Sequence, residues 1–310
     1  MKIVNDIMDQ TFFLEQQNMP AGSLYVVSTP IGNLGDITYR AVHVLKAVDG
    51  IACEDTRHTS HLLNAIGIQK PLMAIHEHNE NEAANALIQK LKHGERWAYV
   101  CDAGTPGISD PGARLTKELI SAGYLVIPIP GASALTTLLS VAGKLNLSAQ
   151  GNFQFLSFLP LKGKERSQCL SQMNLSRLPS IFYESPLRIN KTLAELHEKI
   201  VDKNRAIMIG RELTKKFETI TTLHIHEIPA WLEKSPETRG EFCVMLEGSL
   251  IQRFDAEETS QEVNINPIEL AQVLTEHLGS KQIAEIFSKS QIMSKNAAYE
   301  LALKLKRLKQ

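Results

Sequence analysis

From residue 24 onward, short apolar runs alternate with longer stretches whose apolar positions recur every three or four residues. The runs at 24–28, 51–53, 72–75, 97–101 and 124–129 predict buried strands. Ile37, Ala41, Val44, Leu45 and Val48 fall on one helical face, as do Ala83, Leu87, Ile88 and Leu91. Asp36 is expected to cap the first of these helices and Gly50 to end it. Glu54-Asp55-Thr56-Arg57 leads into a helix to Ile66, and Asp110-Pro111 pairs an N-cap residue with a first-turn proline, predicting a helix to Gly123. Pro130-Gly131-Ala132-Ser133-Ala134 opens another, to about Ala142. Strict alternation of strand and helix predicts an α/β fold whose first half is a mostly parallel sheet with helices on both faces.

The pattern breaks at residues 143–152, which read as an interdomain linker, and a second α/β set follows. Strands are predicted at 153–158, 181–183, 205–209, 219–224 and 241–247, in a mixed or antiparallel arrangement. Residues 161–166 read as a basic loop and 165–175 as a helix. Ser185-Pro186 reads as cap and first position of a helix to Ile200. Residues 249–264 are polar and acidic without a period, a linker. Three short helices then open at Asn266-Pro267, Ser280 and Ser294, a small helix-turn-helix-like module. The expected organisation is an extension at 1–22 to which no role is assigned, α/β domains at 23–143 and 152–248, and the helical module at 266–310.

Composition narrows the classes. A chain of 310 residues with 43% hydrophobic and 22% charged content is that of an ordinary soluble protein, and no apolar window is long enough to span a membrane. The first twenty residues carry Asp6, Asp9 and Glu15 and do not form a secretion signal. Cys53, Cys101, Cys169 and Cys243 are scattered, which predicts free thiols in a reducing cytoplasm. The net charge of −1 gives no global case for nucleic acid, DNA included. Locally, however, residues 251–280 carry −5 and residues 281–310 carry +5.

Three glycine loops follow strands of the first half, at 29–35, 102–107 and 130–134. The second belongs to Cys-Asp-Ala-Gly-Thr-Pro-Gly-Ile-Ser-Asp-Pro-Gly from Cys101, a longer connection than the usual two to six or so residues. A loop at the carboxyl end of a parallel strand is where open α/β sheets hold ligands. None of the three has the Gly-x-Gly-x-x-Gly or Walker pattern or keeps a lysine for phosphates, so they suit an adenosine-like plane with a zwitterion better than a polyphosphate. Asp102, Glu184 and Glu212, with Arg211 and Lys215, stand at strand exits and are the acid–base candidates. His58 and His61, His76-Glu77-His78, and His224 with His226 lack a second half at a familiar ligand spacing, and no metal is expected.

Five motifs carry a resemblance: Leu-Tyr-Val-Val-x-Thr-Pro-Ile-Gly-Asn-Leu-x-Asp-Ile-Thr from Leu24, Glu-Asp-Thr-Arg from Glu54, Asp-Ala-Gly-Thr-Pro-x-Ile-Ser-Asp-Pro-Gly from Asp102, Tyr-Glu-Ser-Pro-x-Arg from Tyr183 and Arg-Glu-Leu-Thr-Lys from Arg211. In this order, over residues 22–248, the chain resembles the bacterial ribosomal RNA small subunit methyltransferase I family of the tetrapyrrole methylase superfamily. The resemblance implies two α/β domains with S-adenosylmethionine in the cleft between them, usually as a homodimer. It also implies methylation of a cytidine ribose 2'-oxygen in the decoding region of 16S ribosomal RNA. On that footing Pro30, Gly32, Asp102, Gly104, Thr105, Ile108, Ser133 and Ala134 are expected to hold the cofactor, with Phe158 and Tyr183 closing the cleft. Glu184, Arg211, Glu212 and Lys215 are expected to polarise the hydroxyl, and Lys162, Lys164 and Arg166 to meet RNA. The chain departs from the family at Cys101, where serine is usual, at Ala132 for proline, at Ser157 for glycine and at Leu161 for a frequent arginine. A small-molecule methylase of the same fold and a non-catalytic ribosome-assembly factor are the competing readings.

Overall fold

In the computed structural model, residues 18–75, 79–109, 112–143, 145, 151–249, 266–290 and 292–307 are described. They divide into two compact units that meet in sequence between residues 251 and 252.

The first unit contains two five-stranded sheets. The apolar runs of the first half become β1 (Ser23–Val27), β2 (Gly50–Cys53), β3 (Leu72–Ala74), β4 (Trp97–Val100) and β5 (Leu125–Ile129), in the order β3-β2-β4-β1-β5 and parallel throughout. Successive residues point to opposite faces, and both faces are covered. Tyr25, Val27, Ile51 and Val100 pack with Val44, Leu45 and Leu63 of α1 (Tyr39–Ala47) and α2 (Thr56–Ala65). Leu24, Ala52, Trp97 and Tyr99 pack with Leu87, Leu91 and Leu115 of α3 (Glu80–Lys92) and α4 (Ala113–Ser121). The crossover leaving β1 therefore runs over one face and that leaving β4 over the other.

The second sheet comprises β6 (Gln154–Phe158), β7 (Ser180–Glu184), β8 (Ala206–Arg211), β9 (Thr219–His224) and β10 (Phe242–Leu246), ordered β6-β7-β10-β8-β9. Only β6 and β7 run parallel, and the other pairs are antiparallel, the mixed arrangement expected. One face packs on Leu135 and Leu138 of α5 (Ala134–Ser140). The other is covered by Met173 of α6 (Gly163–Leu175), Leu193 and Leu196 of α7 (Ile189–Lys199) and Ile228 of α8 (Ile228–Glu233). The second unit, described by itself, is three helices, α9 (Pro267–His277), α10 (Ser280–Lys289) and α11 (Lys295–Arg307), around Phe287, Ile283, Ala271 and Ala302.

Several boundaries differ from the sequence reading. Asp36 closes a short 3-10 turn, Leu34–Asp36, and Thr38 caps α1 by accepting from the Ala41 N–H at 3.0 Å. Gly50 lies inside β2, not at a helix end. A Cβ there would meet the Trp97 ring, its partner in register on β4, at 2.5 Å. Asp110 and Pro111 lie outside the described residues, and α4 begins after Gly112, whose φ of 114° and contact with the Tyr99 ring require glycine. Residues 163–166 belong to α6, not to a loop. Ser185 opens a turn, its carbonyl accepting from the Arg188 and Ile189 N–H groups, and α7 begins at Ile189. The histidine-bearing stretch 76–78, most of residues 143–152 and residues 250–265 lie outside the described residues.

Candidate active site

Because β4, β1 and β5 are neighbours, the three glycine loops leave the sheet side by side, and polar contacts stitch them together. The Thr29 N–H donates to the Gly104 carbonyl at 2.8 Å, and the Gly104 N–H returns to the Thr29 carbonyl at 3.1 Å. The Ser28 and Thr105 hydroxyls lie 3.0 Å apart, and Thr105 donates to the Ala132 carbonyl at 3.0 Å. A single threonine thus joins the loops of β1, β4 and β5. Gly104 has φ of 82°, and Gly131 lies so close to Ser28 that an added Cβ would stand 2.8 Å from its Cβ.

These loops form one wall of a cleft of about 380 Å³ whose other wall is the second sheet. Asp102, Gly104, Thr105, Ile108, Ser133 and Ala134 line it from the first side, and Phe158, Tyr183 and Glu184 from the second. Pro30 and Gly32 do not reach it; Ile31 between them does. Phe158 meets the Tyr183 ring edge-on at 5.7 Å, and Phe155 does so from another side at 5.1 Å. Asp102 Oδ1 accepts from the Asp55 N–H at 3.3 Å, which ties the Glu-Asp-Thr-Arg motif to the cleft loop. Asp55 also accepts from the Arg57 N–H and side chain, bonds that hold its carboxyl far below the usual range.

Across the cleft, Ser109 and Ser157 bring their hydroxyls to 2.7 Å. Both have positive φ, 65° and 55°, and Ser157 lies at the irregularity in the β6–β7 register. The glycine expected at position 157 from the resemblance is thus explained: the backbone is left-handed there. Here a serine accepts that conformation and gains a bond to the opposite wall.

The acid–base candidates separate into two groups. Glu184 is fully buried, with both oxygens engaged: Oε1 by Arg188 at 2.6 Å and the Ser185 N–H at 2.8 Å, Oε2 by the Thr192 hydroxyl at 2.7 Å. Arg166 continues this network. It donates to Thr192 at 2.8 Å, to Glu195 at 2.6 Å and to the Pro160 carbonyl at 2.9 Å, and it is buried rather than presented at the surface. Lys162 and Lys164 are exposed.

Lys215 belongs to the second group, with Glu212 at 2.9 Å and Glu241 at 2.8 Å. Its stem covers Gly32, where a Cβ would stand 2.3 Å from Lys215 Cγ, so this clasp links the β1 loop to the second sheet. Burial pulls the Glu212 carboxyl up, but the Glu241 N–H and Lys215 outweigh it and hold the group below its ordinary value. Burial likewise pulls Lys215 down, and the two carboxylates outweigh it and raise it. Arg211 points elsewhere, donating to the Arg239 and Phe217 carbonyls in a separate pocket with Glu237.

The sequence reading missed Glu241, Leu213, Ser109 and Cys243 on the cleft wall. Glu241 and Cys243 escaped because only carboxyl ends of strands were searched. β10 runs antiparallel to β7 and β8, so its amino end meets their exits. Burial pushes the Cys243 thiol up to about 12, so it stays neutral. All four cysteines are free thiols. His224 and His226 stack at 5.6 Å, and among the described residues no group of three metal-ligating side chains converges.

Residues 23–229 match the model of the tetrapyrrole (corrin/porphyrin) methylases. The chain belongs to that family. Within it, the chain is 40% identical over 92% of its length to 98% of a ribosomal RNA small subunit methyltransferase I of Pasteurella multocida. It is 42% identical over 76% of its length to 79% of the protein of the same name from Bacillus subtilis. It therefore falls in the ribosomal RNA small subunit methyltransferase I group of the methylase family. Among solved structures, uroporphyrin-III C-methyl transferase from Thermus thermophilus complexed with S-adenyl homocysteine shares the fold. Its TM-score is 0.51 at 18% identity, covering 73% of this chain and 97% of that one.

Proposed function

We propose that this chain transfers the methyl group of S-adenosylmethionine to ribosomal RNA of the small subunit, at the 2'-oxygen of a cytidine ribose in the 16S decoding region, acting as a cytoplasmic homodimer. The methyltransferase reading rests on near-full-length relatives of that name, and the nucleotide and position rest on the family resemblance. No helix among the described residues is long and apolar enough to cross a membrane.

The observation that carries the cofactor assignment is the stitched wall of three small-residue loops beside a carboxylate. S-adenosylmethionine is zwitterionic, carries ribose hydroxyls and a flat base, and has no phosphate. The cleft offers Asp102, whose Oδ2 takes no hydrogen bond from the described residues, and main chain left bare by Gly104 and Ala134. Asp102, Gly104, Thr105, Ile108, Ser133 and Ala134 would hold it, with Phe158 and Tyr183 against it, and Pro30 and Gly32 would act through the loop shape. When bound, the cofactor supplies an electrophilic methyl on a sulfonium.

What remains for the chain is to align the ribose oxygen, exclude water and accept the hydroxyl proton. Glu184 has no free oxygen and serves to hold the wall. The Glu212–Lys215–Glu241 clasp is the group that can act on the hydroxyl: Glu241 lines the cleft and uses only Oε2 on Lys215.

Mass spectrometry of 16S nucleosides from cells with and without the protein tests the function. A 2'-O-methylcytidine present in both would overturn it. For the purified enzyme, Glu241→Gln is expected to lower turnover roughly tenfold to a hundredfold with cofactor affinity near wild type. Unchanged turnover would move proton removal to another group.

A further inference from the structure

Around the mouth of the cleft, on the second-sheet side, apolar side chains stand in water on two turns that the buried network holds rigid. Phe158 is 49% exposed and Leu161 71%, and Leu187 at 96% touches almost nothing. Pro186, beside Leu187, is exposed and lines the cleft, as Phe158 does. Arg188 donates to the Leu159 carbonyl at 3.3 Å and Arg166 to the Pro160 carbonyl, so the 158–161 turn and the 185–188 turn are fixed to one another. A lone exposed leucine needs no explanation, but exposed apolar side chains on two linked turns, each of which also gives the cleft a lining residue, do.

The geometry points to this rim as the platform for an unpaired nucleobase of the substrate RNA, with Leu161 and Leu187 as the side chains that hold it and Lys162 and Lys164 meeting its flanking phosphates. The inference rests on the RNA methyltransferase reading and names which residues select an unstacked nucleotide. A cleft of about 380 Å³ admits a nucleotide but not a duplex, so the ribose must come from a single-stranded segment, whose unstacked base then gains from an apolar surface. Every base has such a face, whatever its sequence. Charge agrees: Lys162 and Lys164 follow Leu161, at the N-cap and in the exposed first turn of α6, and neither enters an ion pair among the described residues. Where a frequent family arginine would add a cation, this chain presents Leu161, which trades phosphate attraction for apolar contact. A second copy of this chain is the other occupant an apolar rim could take, and the test separates the two.

The experiment uses the full-length enzyme with small-subunit particles lacking the methyl group. Leu187→Ser, Leu161→Ser and Leu187→Met are compared for KM, kcat, S-adenosylmethionine affinity and sedimentation. Each serine variant is expected to raise KM for RNA on the order of five- to tenfold, because it removes apolar contact with the base, while Leu187→Met, which keeps that contact, stays near wild type. Because both leucines are exposed, melting temperature and cofactor affinity should not move. Unchanged KM in both serine variants overturns the inference while leaving the methyltransferase reading intact. A shift in sedimentation with unchanged KM at saturating enzyme assigns the rim to a second copy instead and also overturns it. A wild-type enzyme that methylates no particle is the distinct failure of the underlying function.

Discussion

Gly104 takes a φ of 82°, and its missing Cβ would stand 3.3 Å from the Ile31 side chain, so two separate constraints meet at one residue of the candidate cofactor wall. A β-branched side chain there adds roughly 1–2 kcal/mol of backbone strain and projects into the space between the β1 and β4 loops. Gly104→Val is therefore expected to weaken S-adenosylmethionine binding at least tenfold, read by calorimetry, with the far-ultraviolet dichroism of the wild type. Affinity within twofold of wild type would place the cofactor on another loop. Ser157 shows the opposite case, a non-glycine residue in left-handed backbone that recovers some of the cost through Ser109. Neither residue's conformation is visible in a single sequence: a glycine announces that its backbone is free, whereas a serine at positive φ announces nothing.

At the scale of elements, the parallel sheet was legible because its inner strands β2, β4 and β1 are buried on both faces and read as apolar runs between amphipathic helices. The second sheet was legible in its strands and its mixed character but not in which strand runs which way, and that direction decides which strand end faces the cleft. Glu241 was missed for that reason. Arg166 was misplaced for another: its partners Thr192 and Glu195 lie on α7, too distant in sequence for pattern reading to pair them with a basic residue. The same network gives a testable energetic role to Glu184. Glu184→Gln keeps the shape but leaves Arg188, only 22% exposed, without its counter-charge. Breaking a largely buried pair from one side costs about 3 kcal/mol, somewhat less here because Arg188 retains some solvent. Urea unfolding is expected to show a stability loss of about 2 to 3 kcal/mol, with cofactor affinity falling only as the wall loosens. A variant as stable as wild type with turnover abolished would instead make Glu184 a group that acts on the substrate.

At the scale of the whole molecule, the second unit raises the question of why a methylase carries three further helices with a core of their own. Phe287, Ile283, Ala284, Ala298 and Ala302 are buried among α9, α10 and α11, so the unit is held by its own packing. Its charge is uneven along the chain. Residues 281–310 carry +5 on a protein whose total is −1, and Lys281, Lys295 and Lys304 are exposed. A stabilising appendage would need solvated lysines but not this concentration of them, whereas an RNA grip needs cations on one segment. Phosphate contacts release counterions, so the two roles differ in their response to salt. A protein ending at residue 251 is expected to bind S-adenosylmethionine as the full chain does, to bind 16S RNA more weakly, and to lose affinity less steeply as salt rises. Each phosphate contact removed should lower the slope of log affinity against log salt by roughly one unit. Filter binding of both proteins across a range of potassium chloride concentrations gives the two slopes directly. Equal affinities and slopes would leave the second unit without a part in RNA binding and return its lysines to a solvated face.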